Sequence, residues 1–190
     1  MKATNQKSDY LNWENAMSLI MSLERDKEFK MAALVGSGVF LGLRISDLVQ
    51  LRYCDLLNQN QINITEKKTG KTRTIAINSM LKELIQRIYN KQTISTLEEH
   101  IFTNKNGGLL STQYINRRLK EIKVKYRVKI GNFSCHSLRK AFGRRVYELN
   151  NCSERALMLL SEIFQHSSIA LTRIYLGLRQ EEISNVYLSL

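Results

Sequence analysis

Between Glu28 and Leu41 the sequence has the length of a helix but almost no polar face. A helix that is apolar nearly all round must be buried, because an exposed helix keeps a polar stripe toward water. Gly42 follows this segment and is placed to end the helix. The whole chain of 190 residues has no proline, which fits a helix-rich domain with short turns. These features predict a mainly helical fold with one buried helix.

The other segments show helical spacing, apart from one stretch with the spacing of strands. Residues 61–77 alternate polar and isoleucine side chains on either side of a turn that contains lysine and glycine, which predicts a β-hairpin with a basic tip. A short strand is expected at 101–103. Helices are expected at about 12–25, 28–41, briefly from Ser46 or Asp47, and at 79–90, 112–127, 136–149, 153–164, 168–176 and 180–189. The expected fold class is therefore mainly α with a small antiparallel β-sheet (α+β).

The charge balance points to an anionic partner. Lysine and arginine number 29 and acidic residues 17, which gives a net charge of +12; nucleic acid is the commonest partner of such a chain. No apolar run is long enough to span a bilayer, and no signal peptide or lipidation motif is evident, so no membrane partner is expected. The three scattered cysteines indicate a reducing cytosol, and their spacing does not suggest a metal site.

Four side chains have the chemistry that phosphodiester transfer requires. Arg44 and Arg139 can donate forked, charge-assisted hydrogen bonds to phosphate oxygens. His136 lies three residues before Arg139, so both share one face of a helix. Tyr175 carries a phenol whose ordinary pKa of about 10 makes it a poor nucleophile at neutral pH, unless nearby cations favour the phenolate or a histidine accepts the proton. Each residue alone also has an ordinary structural interpretation, so the prediction depends on the ordered set.

In chain order, three motifs carry a resemblance to a known family. They are Gly42-Leu43-Arg44-Ile45-Ser46-Asp47-Leu48, then Cys135-His136-Ser137-Leu138-Arg139, then His166 nine positions before Tyr175. Together they resemble the catalytic domain of the tyrosine recombinases, the phage-integrase family, from about Leu11 to Gly177. The resemblance implies DNA strand exchange: a tyrosine attacks a DNA phosphate, forms a 3′-phosphotyrosyl link and releases a 5′-hydroxyl. It implies no metal and no nucleotide cofactor.

The resemblance also assigns catalytic roles. Arg44 and Arg139 would clamp the phosphate, and Tyr175 would be the nucleophile. His136 would be the acid/base group near the tyrosine, and His166 would donate a hydrogen bond to the phosphate. In the hairpin turn, Lys68 would be the general acid for the 5′-oxygen, with Lys67 and Lys71 as competitors. Asp47 matches the acidic residue that supports the site.

DNA contacts outside the chemistry are expected on the basic helix at 112–127, which matches the position of the family's major-groove helix. Gln113 and Asn116 can pair with adenine edges, and Arg117 can pair with guanine. Arg144, which follows the His-x-x-Arg motif, is expected to bind a backbone phosphate.

The chain departs from the family pattern in three places. Gln165 stands before His166, where the family usually has glycine. Arg139 and His166 lie 27 positions apart, a few more than is common, which suggests an insertion near 150–155. Most relatives carry an N-terminal DNA-clamping domain, whereas here the catalytic domain starts almost at once. The chain is therefore either a fragment or similar to the small single-domain invertases of bacteria.

The expected function is site-specific DNA cleavage and rejoining, as an integrase, transposase or invertase. Two alternatives stay open: a non-catalytic DNA-binding relative with an architectural or regulatory role, and an enzyme similar to type IB topoisomerases. Expected segments are a flexible N-terminus (1–10), the catalytic domain (11–177) and a C-terminal tail (178–190) that docks on a neighbouring protomer. Expected partners are double-stranded DNA, further copies in a dimer or tetramer on DNA, and accessory DNA-bending proteins. The expected location is the cytoplasm, at the nucleoid, of a bacterium, with a bacterial or phage origin.

Overall fold

The computed structural model describes residues 9–65, 67 and 70–190, except for the side chains of 179–182. In this part of the chain the elements are ten helices and one hairpin, so the prediction of a mainly helical fold with a small antiparallel sheet is confirmed. The elements are α1 (Trp13–Arg25), α2 (Phe29–Leu41), α3 (Ile45–Leu48), α4 (Tyr53–Leu57), β1 (Gln61–Thr65), β2 (Thr72–Ala76), α5 (Ser79–Asn90), α6 (Thr112–Lys125), α7 (Cys135–Leu149), α8 (Glu154–Phe164), α9 (Ile169–Leu176) and α10 (Leu178–Leu188).

Helix α2 is the buried centre of the larger core, as its composition predicts, and it packs against α1, α5 and α7. Two glycines allow this close approach. A Cβ at Gly36 would lie 2.5 Å from the Leu84 side chain of α5, and a Cβ at Gly38 would lie 2.8 Å from Leu138 of α7. Gly42 then ends the helix in the left-handed conformation, with φ of 57°, which glycine adopts without the cost that a Cβ brings.

The hairpin pairs β1 with β2 in antiparallel register from Gln61–Ala76 to Thr65–Thr72. The prediction of a strand at 101–103 is wrong. The backbone there makes only isolated β-bridges, between Arg52 and His100 and between Thr103 and Leu109. Its apolar side chains are buried by the core, but no continuous partner strand runs beside it. The short helix α4 was not anticipated, because five residues are too few to show helical periodicity.

Helix α7 separates two apolar clusters. Its Leu138 and Ala141 belong to the larger core around α2, whereas Phe142 and Val146 pack on a smaller cluster formed by α8, α9 and the start of α10. The smaller cluster approaches α7 closely at Gly143, where a Cβ would lie 2.6 Å from Leu176. The candidate site lies where these two clusters meet.

The N-terminal segment was expected to be loose through residue 10, but its last two residues contact the domain. The backbone N–H of Asp9 donates to the Asn132 carbonyl at 3.2 Å, and the Tyr10 ring lies 4.4 Å from the Arg144 guanidinium. Residues 1–8 of that segment lie outside the described residues. None of the helices in the described part of the chain is long and apolar enough to cross a membrane.

Candidate active site

Helix α7 positions Arg139 at the centre of the site. Ser134 and Ser137 form a reciprocal capping box that fixes the start of this helix. Arg139 lies one turn further on and is only 5% exposed. Its guanidinium donates to the carbonyl of Gly42 and, at 3.1 Å, to the carbonyl of Phe164, and it stacks 4.4 Å from the Phe164 ring. Arg139 therefore links the end of α2 with the end of α8.

Two further arginines reach the same end of α8. Arg44, immediately before α3, donates to the Phe164 carbonyl at 3.0 Å, and Arg73 of β2 donates to the Ile163 carbonyl at 2.8 Å. The last carbonyls of a helix lack intrahelical partners and carry a partial negative charge. The C-terminus of α8 thus gathers three guanidinium groups.

Three rings form the aromatic side of the site: Phe164 at the end of α8, His166 before α9 and Tyr175 on α9. The rings of His166 and Tyr175 lie 5.3 Å apart at 71°, and the Phe164 ring is 5.4 Å from each of them. The Nδ1 atom of His166 lies 2.9 Å from Oγ1 of Thr172. Among the described residues, the buried hydroxyl oxygen of Tyr175 has no hydrogen-bond partner, so the nucleophile candidate is held by ring packing.

Burial and nearby cationic side chains shift the pKa values of three side chains in the site. Burial raises the pKa of Tyr175 to about 12, although the charges of Arg139 and Arg44 act in the opposite direction. Loss of hydration lowers the pKa of His136, with Lys140 and Arg139 adding to the effect. Loss of hydration also lowers the pKa of His166, reinforced by Arg139 and Arg44. At neutral pH the phenol and both imidazoles are therefore uncharged beside cationic guanidinium groups.

The five described catalytic candidates line one cleft of about 350 Å³. They are Arg44, His136, Arg139, His166 and Tyr175. The sixth candidate, Lys68, lies outside the described residues. Next to it, the backbone N–H of Lys67 donates to the Asp47 carboxylate at 3.1 Å, so the beginning of the hairpin turn is tied to α3.

Gln165 also lines this cleft, and it has two unfavourable features. Its backbone is left-handed, with φ of 54° and ψ of 47°, where it caps the C-terminus of α8. Its side-chain Oε1 atom is buried without a hydrogen-bond partner among the described residues. A glycine would adopt this left-handed backbone without the cost that a Cβ brings.

The predicted DNA-binding residues are not equivalent in the structure. Gln113 and Arg117 are exposed on α6, and Arg117 stacks on Tyr114 at 5.4 Å. Asn116 is half-buried, and its Oδ1 atom accepts from the N–H of Cys135 at 2.9 Å, which caps α7. Arg144 is 7% exposed and donates to the Leu176 carbonyl at 2.8 Å. Arg144 was expected to bind a backbone phosphate, whereas in this structure its guanidinium is buried and hydrogen-bonded within the fold.

Sequence reasoning missed Arg73 and Thr172 as contributors to the site. Arg73 occupies an ordinary position in an alternating strand, and Thr172 lies inside an apolar helix, so neither carries a local signal. Within the described part of the chain there is no group of three or more histidine, cysteine or acidic side chains that could hold a metal ion.

Comparisons with known proteins identify the family of this chain. Residues 10–182 match the model of the phage integrase family. The tyrosine recombinase XerC of Xanthomonas campestris pv. campestris (strain B100) is 28% identical over 146 residues, which are 77% of this chain and 44% of that protein. The probable integrase/recombinase YoeC of Bacillus subtilis (strain 168) is 29% identical over 178 residues, covering 88% of this chain and 93% of that protein.

Solved structures share the fold. A crystal structure of XerA recombinase superposes with a TM-score of 0.71 at 22% identity, covering 99% of this chain and 65% of that one. XerH recombinase bound to a palindromic difH substrate superposes with a TM-score of 0.69 at 21% identity, covering 98% of this chain and 55% of that one. The chain spans less than half the length of the XerC relative. Because the family match runs through all the motifs that line the cleft, the chain belongs to the phage integrase family, among the tyrosine recombinases.

Proposed function

We propose that this chain is the catalytic part of a site-specific DNA recombinase of the integrase or invertase type. It cleaves and rejoins double-stranded DNA through a 3′-phosphotyrosyl intermediate, with Tyr175 as the nucleophile. The observation that carries the proposal is the convergence of two arginines, two histidines and one tyrosine, from separate segments of the chain, on one cleft. Phosphoryl transfer needs a nucleophile, positive charge at the phosphoryl oxygens and acid/base groups, and this cleft has all three.

Arg44 and Arg139 bind the scissile phosphate in this proposal. A guanidinium carries five N–H donors in a planar fork, so one can hold a backbone carbonyl while another points to a phosphate oxygen. The shared Phe164 carbonyl orients both groups, at 3.0 and 3.1 Å, toward the same region. The developing charge on the phosphoryl oxygens then meets donors that need no further reorganisation.

Tyr175 attacks the phosphorus as its proton is removed. Because the pKa of Tyr175 is raised to about 12, almost no phenolate exists at neutral pH, so proton loss accompanies the attack. His136 is neutral and lines the same cleft, and its free ring nitrogen is the proposed acceptor. His166 donates to a nonbridging phosphate oxygen.

Lys68 protonates the leaving 5′-oxygen in the proposal. The support is indirect: the N–H of Lys67 is held by Asp47, which itself lies three residues after Arg44. Because this hydrogen bond joins the turn to α3, the turn begins close to the segment that carries Arg44. Separate replacement of Lys67, Lys68 and Lys71 by methionine identifies the acid, since only its loss is rescued by a DNA substrate with a better leaving group than the 5′-oxygen.

Exposed residues of α6 and the C-terminal tail are proposed to contact DNA and a neighbouring protomer, respectively. Gln113 and Arg117 are exposed on α6 and are proposed to contact base edges of double-stranded DNA. We also propose that residues 11–177 form the catalytic domain and that the 178–190 tail docks on a neighbouring protomer in a dimer or tetramer on DNA. Accessory DNA-bending proteins and a cytoplasmic, nucleoid-associated location belong to the same proposal.

A covalent trap tests the proposed function. Nicked duplexes cut from the DNA that flanks the gene are incubated with wild-type protein and with Tyr175→Phe, then resolved on a denaturing gel. A slow protein–DNA band is expected with wild type and is lost with Tyr175→Phe. Tyr187→Phe is the matched control, because it removes an exposed phenol on α10 but keeps the apolar ring, so the band should be unchanged.

Other outcomes would overturn the assignment. Salt-sensitive DNA binding without a covalent band from any fragment would indicate a non-catalytic DNA-binding protein. A covalent band together with relaxation of supercoiled DNA by single protomers, without pairing of two sites, would indicate a topoisomerase-like enzyme.

A further inference from the structure

Thr172 is a buried polar residue that takes no direct part in the proposed reaction. It lies on α9 and is 0% exposed. Its Oγ1 atom is 2.9 Å from Nδ1 of His166, and this is the one hydrogen-bond partner of its side chain within the described residues. Three residues further along the same helix is Tyr175, whose ring packs on the His166 imidazole at 5.3 Å. Thr172 therefore contacts His166 without itself lining the cleft.

The direction of this hydrogen bond decides which nitrogen of His166 carries the proton. A neutral imidazole has one N–H donor and one acceptor nitrogen, whereas a threonine hydroxyl can donate or accept. If Nδ1 carried the proton, the threonine hydroxyl would accept, and its own buried hydrogen would have no acceptor. A buried donor without a partner is costly. If the hydroxyl donates to Nδ1, both groups are satisfied and the proton of the ring is on Nε2.

The groups around His166 favour the neutral ring. The guanidinium of Arg139 on α7 and that of Arg44 before α3 are the charged groups facing it, and Tyr175 on α9 and Phe164 at the end of α8 pack against it. Burial among these groups and the charges of the two arginines disfavour a positive charge on the imidazole. The imidazole consequently has a single N–H, and its position determines whether His166 can donate into the cleft.

We infer that Thr172 is a positioning residue that donates its hydroxyl hydrogen bond to Nδ1 of His166 and thereby fixes the ring with its proton on Nε2, the nitrogen that can donate to a phosphate oxygen. The use of that donor on DNA rests on the proposed function. The tautomer itself does not depend on DNA, because it rests on the neutral ring, the burial of Thr172 and the hydrogen-bond geometry. A ring with the opposite tautomer would present a lone pair to the phosphate and repel it.

Nitrogen NMR of the DNA-free protein tests the tautomer directly. The chain has three histidines, so the ¹⁵N signals of ring-labelled protein at about pH 8 can be assigned by comparison with His166→Asn. Wild type and Thr172→Ser are expected to show the Nε2–H tautomer at His166. Thr172→Val has the same shape without the hydroxyl, and it is expected to lose this preference. An Nδ1–H tautomer in wild type, or an unchanged Thr172→Val spectrum, would overturn the inference.

Cleavage kinetics test the consequence for catalysis. In single-turnover phosphotyrosyl formation, Thr172→Val is expected to be about 3- to 10-fold slower than wild type at equal DNA affinity, the effect of one lost hydrogen bond. Thr172→Ser is expected to restore the rate. If wild type itself forms no covalent complex, the proposed function fails, while the NMR result still decides the tautomer. Equal rates for Thr172→Val and wild type would show that Thr172 has no positioning role.

Discussion

Arg44 and Arg139 donate hydrogen bonds to the same acceptor, the carbonyl oxygen of Phe164, at 3.0 and 3.1 Å. Each arginine is fixed by a different part of the fold, one before α3 and the other on α7. Two like charges placed side by side repel, and the carbonyl at the negative end of α8 offsets that repulsion. The fold itself thus assembles the positive half of the proposed phosphate site.

Replacing Arg139 by lysine should damage both stability and cleavage. An ammonium cannot reach two carbonyls and a phosphate oxygen at once, so Arg139→Lys loses charge-assisted hydrogen bonds worth about 1.5–3 kcal/mol each. Phosphotyrosyl formation should fall about 100- to 1,000-fold, as it does when one transition-state donor is removed. Urea unfolding and single-turnover cleavage measure the two effects.

The matched control is Arg155→Lys, because Arg155 is exposed on α8 and should be neutral in both assays. Since Arg44 and Arg139 share an acceptor, Arg44→Lys and Arg139→Lys should be non-additive in the double variant. Additive losses would contradict the shared role of the Phe164 carbonyl.

The buried phenol of Tyr175 should make stability depend on alkaline pH. Its pKa is raised to about 12 by burial, whereas the unfolded chain has an ordinary tyrosine pKa of about 10. The folded state therefore binds this proton more tightly, and the stability from the neutral phenol is complete below pH 10. It is lost progressively as the pH rises from about 10 through 12, by about 3 kcal/mol in total.

Denaturant unfolding at several pH values between 9 and 11.5 measures this loss. Tyr175→Phe cannot ionise, so its stability relative to wild type should rise with pH across this window. Tyr187→Phe removes an exposed phenol instead and should follow wild type. A constant difference between wild type and Tyr175→Phe would show that the phenol is not held neutral in the folded state.

Protonation of His136 should cause the fall of the cleavage rate at acidic pH, which is the acid limb of the pH–rate profile. Loss of hydration lowers the pKa of His136 from its ordinary 6.5, and Lys140 and Arg139 lower it further. The ring therefore gains its second proton only at a pH below 6.5. A general base must be neutral, so the rate should be nearly constant above pH 7 and fall below pH 6.5. His136→Asn should slow cleavage by about 100-fold or more and abolish this acid limb.

Single-turnover rates between pH 5.5 and 9 test this assignment. Protonation of His166 would keep its N–H donor, so His166 should not produce an acid limb of its own. If the limb persists in His136→Asn, the proton acceptor is a different group. His100→Asn is the control, because that ring contacts the Gln50 carbonyl at 2.8 Å and lies outside the cleft lining.

Gln165→Gly should stabilise the protein. A left-handed backbone costs a residue with a Cβ about 1–2 kcal/mol, and the buried Oε1 atom without a partner adds to this cost. The greater freedom of glycine in the unfolded chain offsets about 0.5–1 kcal/mol. A net gain of about 1 kcal/mol is expected in urea unfolding. Gln165→Ala removes the amide but keeps the backbone cost, so it should gain less than Gln165→Gly; equal stability would contradict the backbone explanation.

Periodicity and turn residues predicted most of the elements. The absence of a polar face between Glu28 and Leu41 predicted the buried helix, and the alternation around Ile62 and Ile75 predicted the hairpin. The strand at 101–103 failed because burial of an apolar triplet does not require a strand partner. Such local patterns describe the environment of a segment, and the pairing of its backbone depends on distant residues.

Residue type and order in the chain predicted which candidate residues should lie close together. The five described candidates do line one cleft, but sequence alone could not separate exposed from buried arginines. Arg117 and Arg144 look equally basic, yet Arg144 is tied to the Leu176 carbonyl inside the fold. The contacts of Thr172 and Arg73 join elements that are remote in the chain, so no local spacing predicts them.

The C-terminal tail should govern assembly on DNA. Helix α10 exposes Val186, Tyr187 and Leu188 at 61, 74 and 84%, and an apolar surface of this kind is typical of an interaction site. Deleting residues 179–190 keeps the buried Leu178 and should abolish dimers and tetramers on a duplex while leaving single-protomer binding intact. Analytical ultracentrifugation with labelled DNA measures the species.

Val186→Ser with Tyr187→Ser should reproduce the loss, whereas Met21→Ser, which removes an apolar side chain that is 70% exposed on α1, should not. Unchanged assembly after the deletion would exclude the tail as the docking segment.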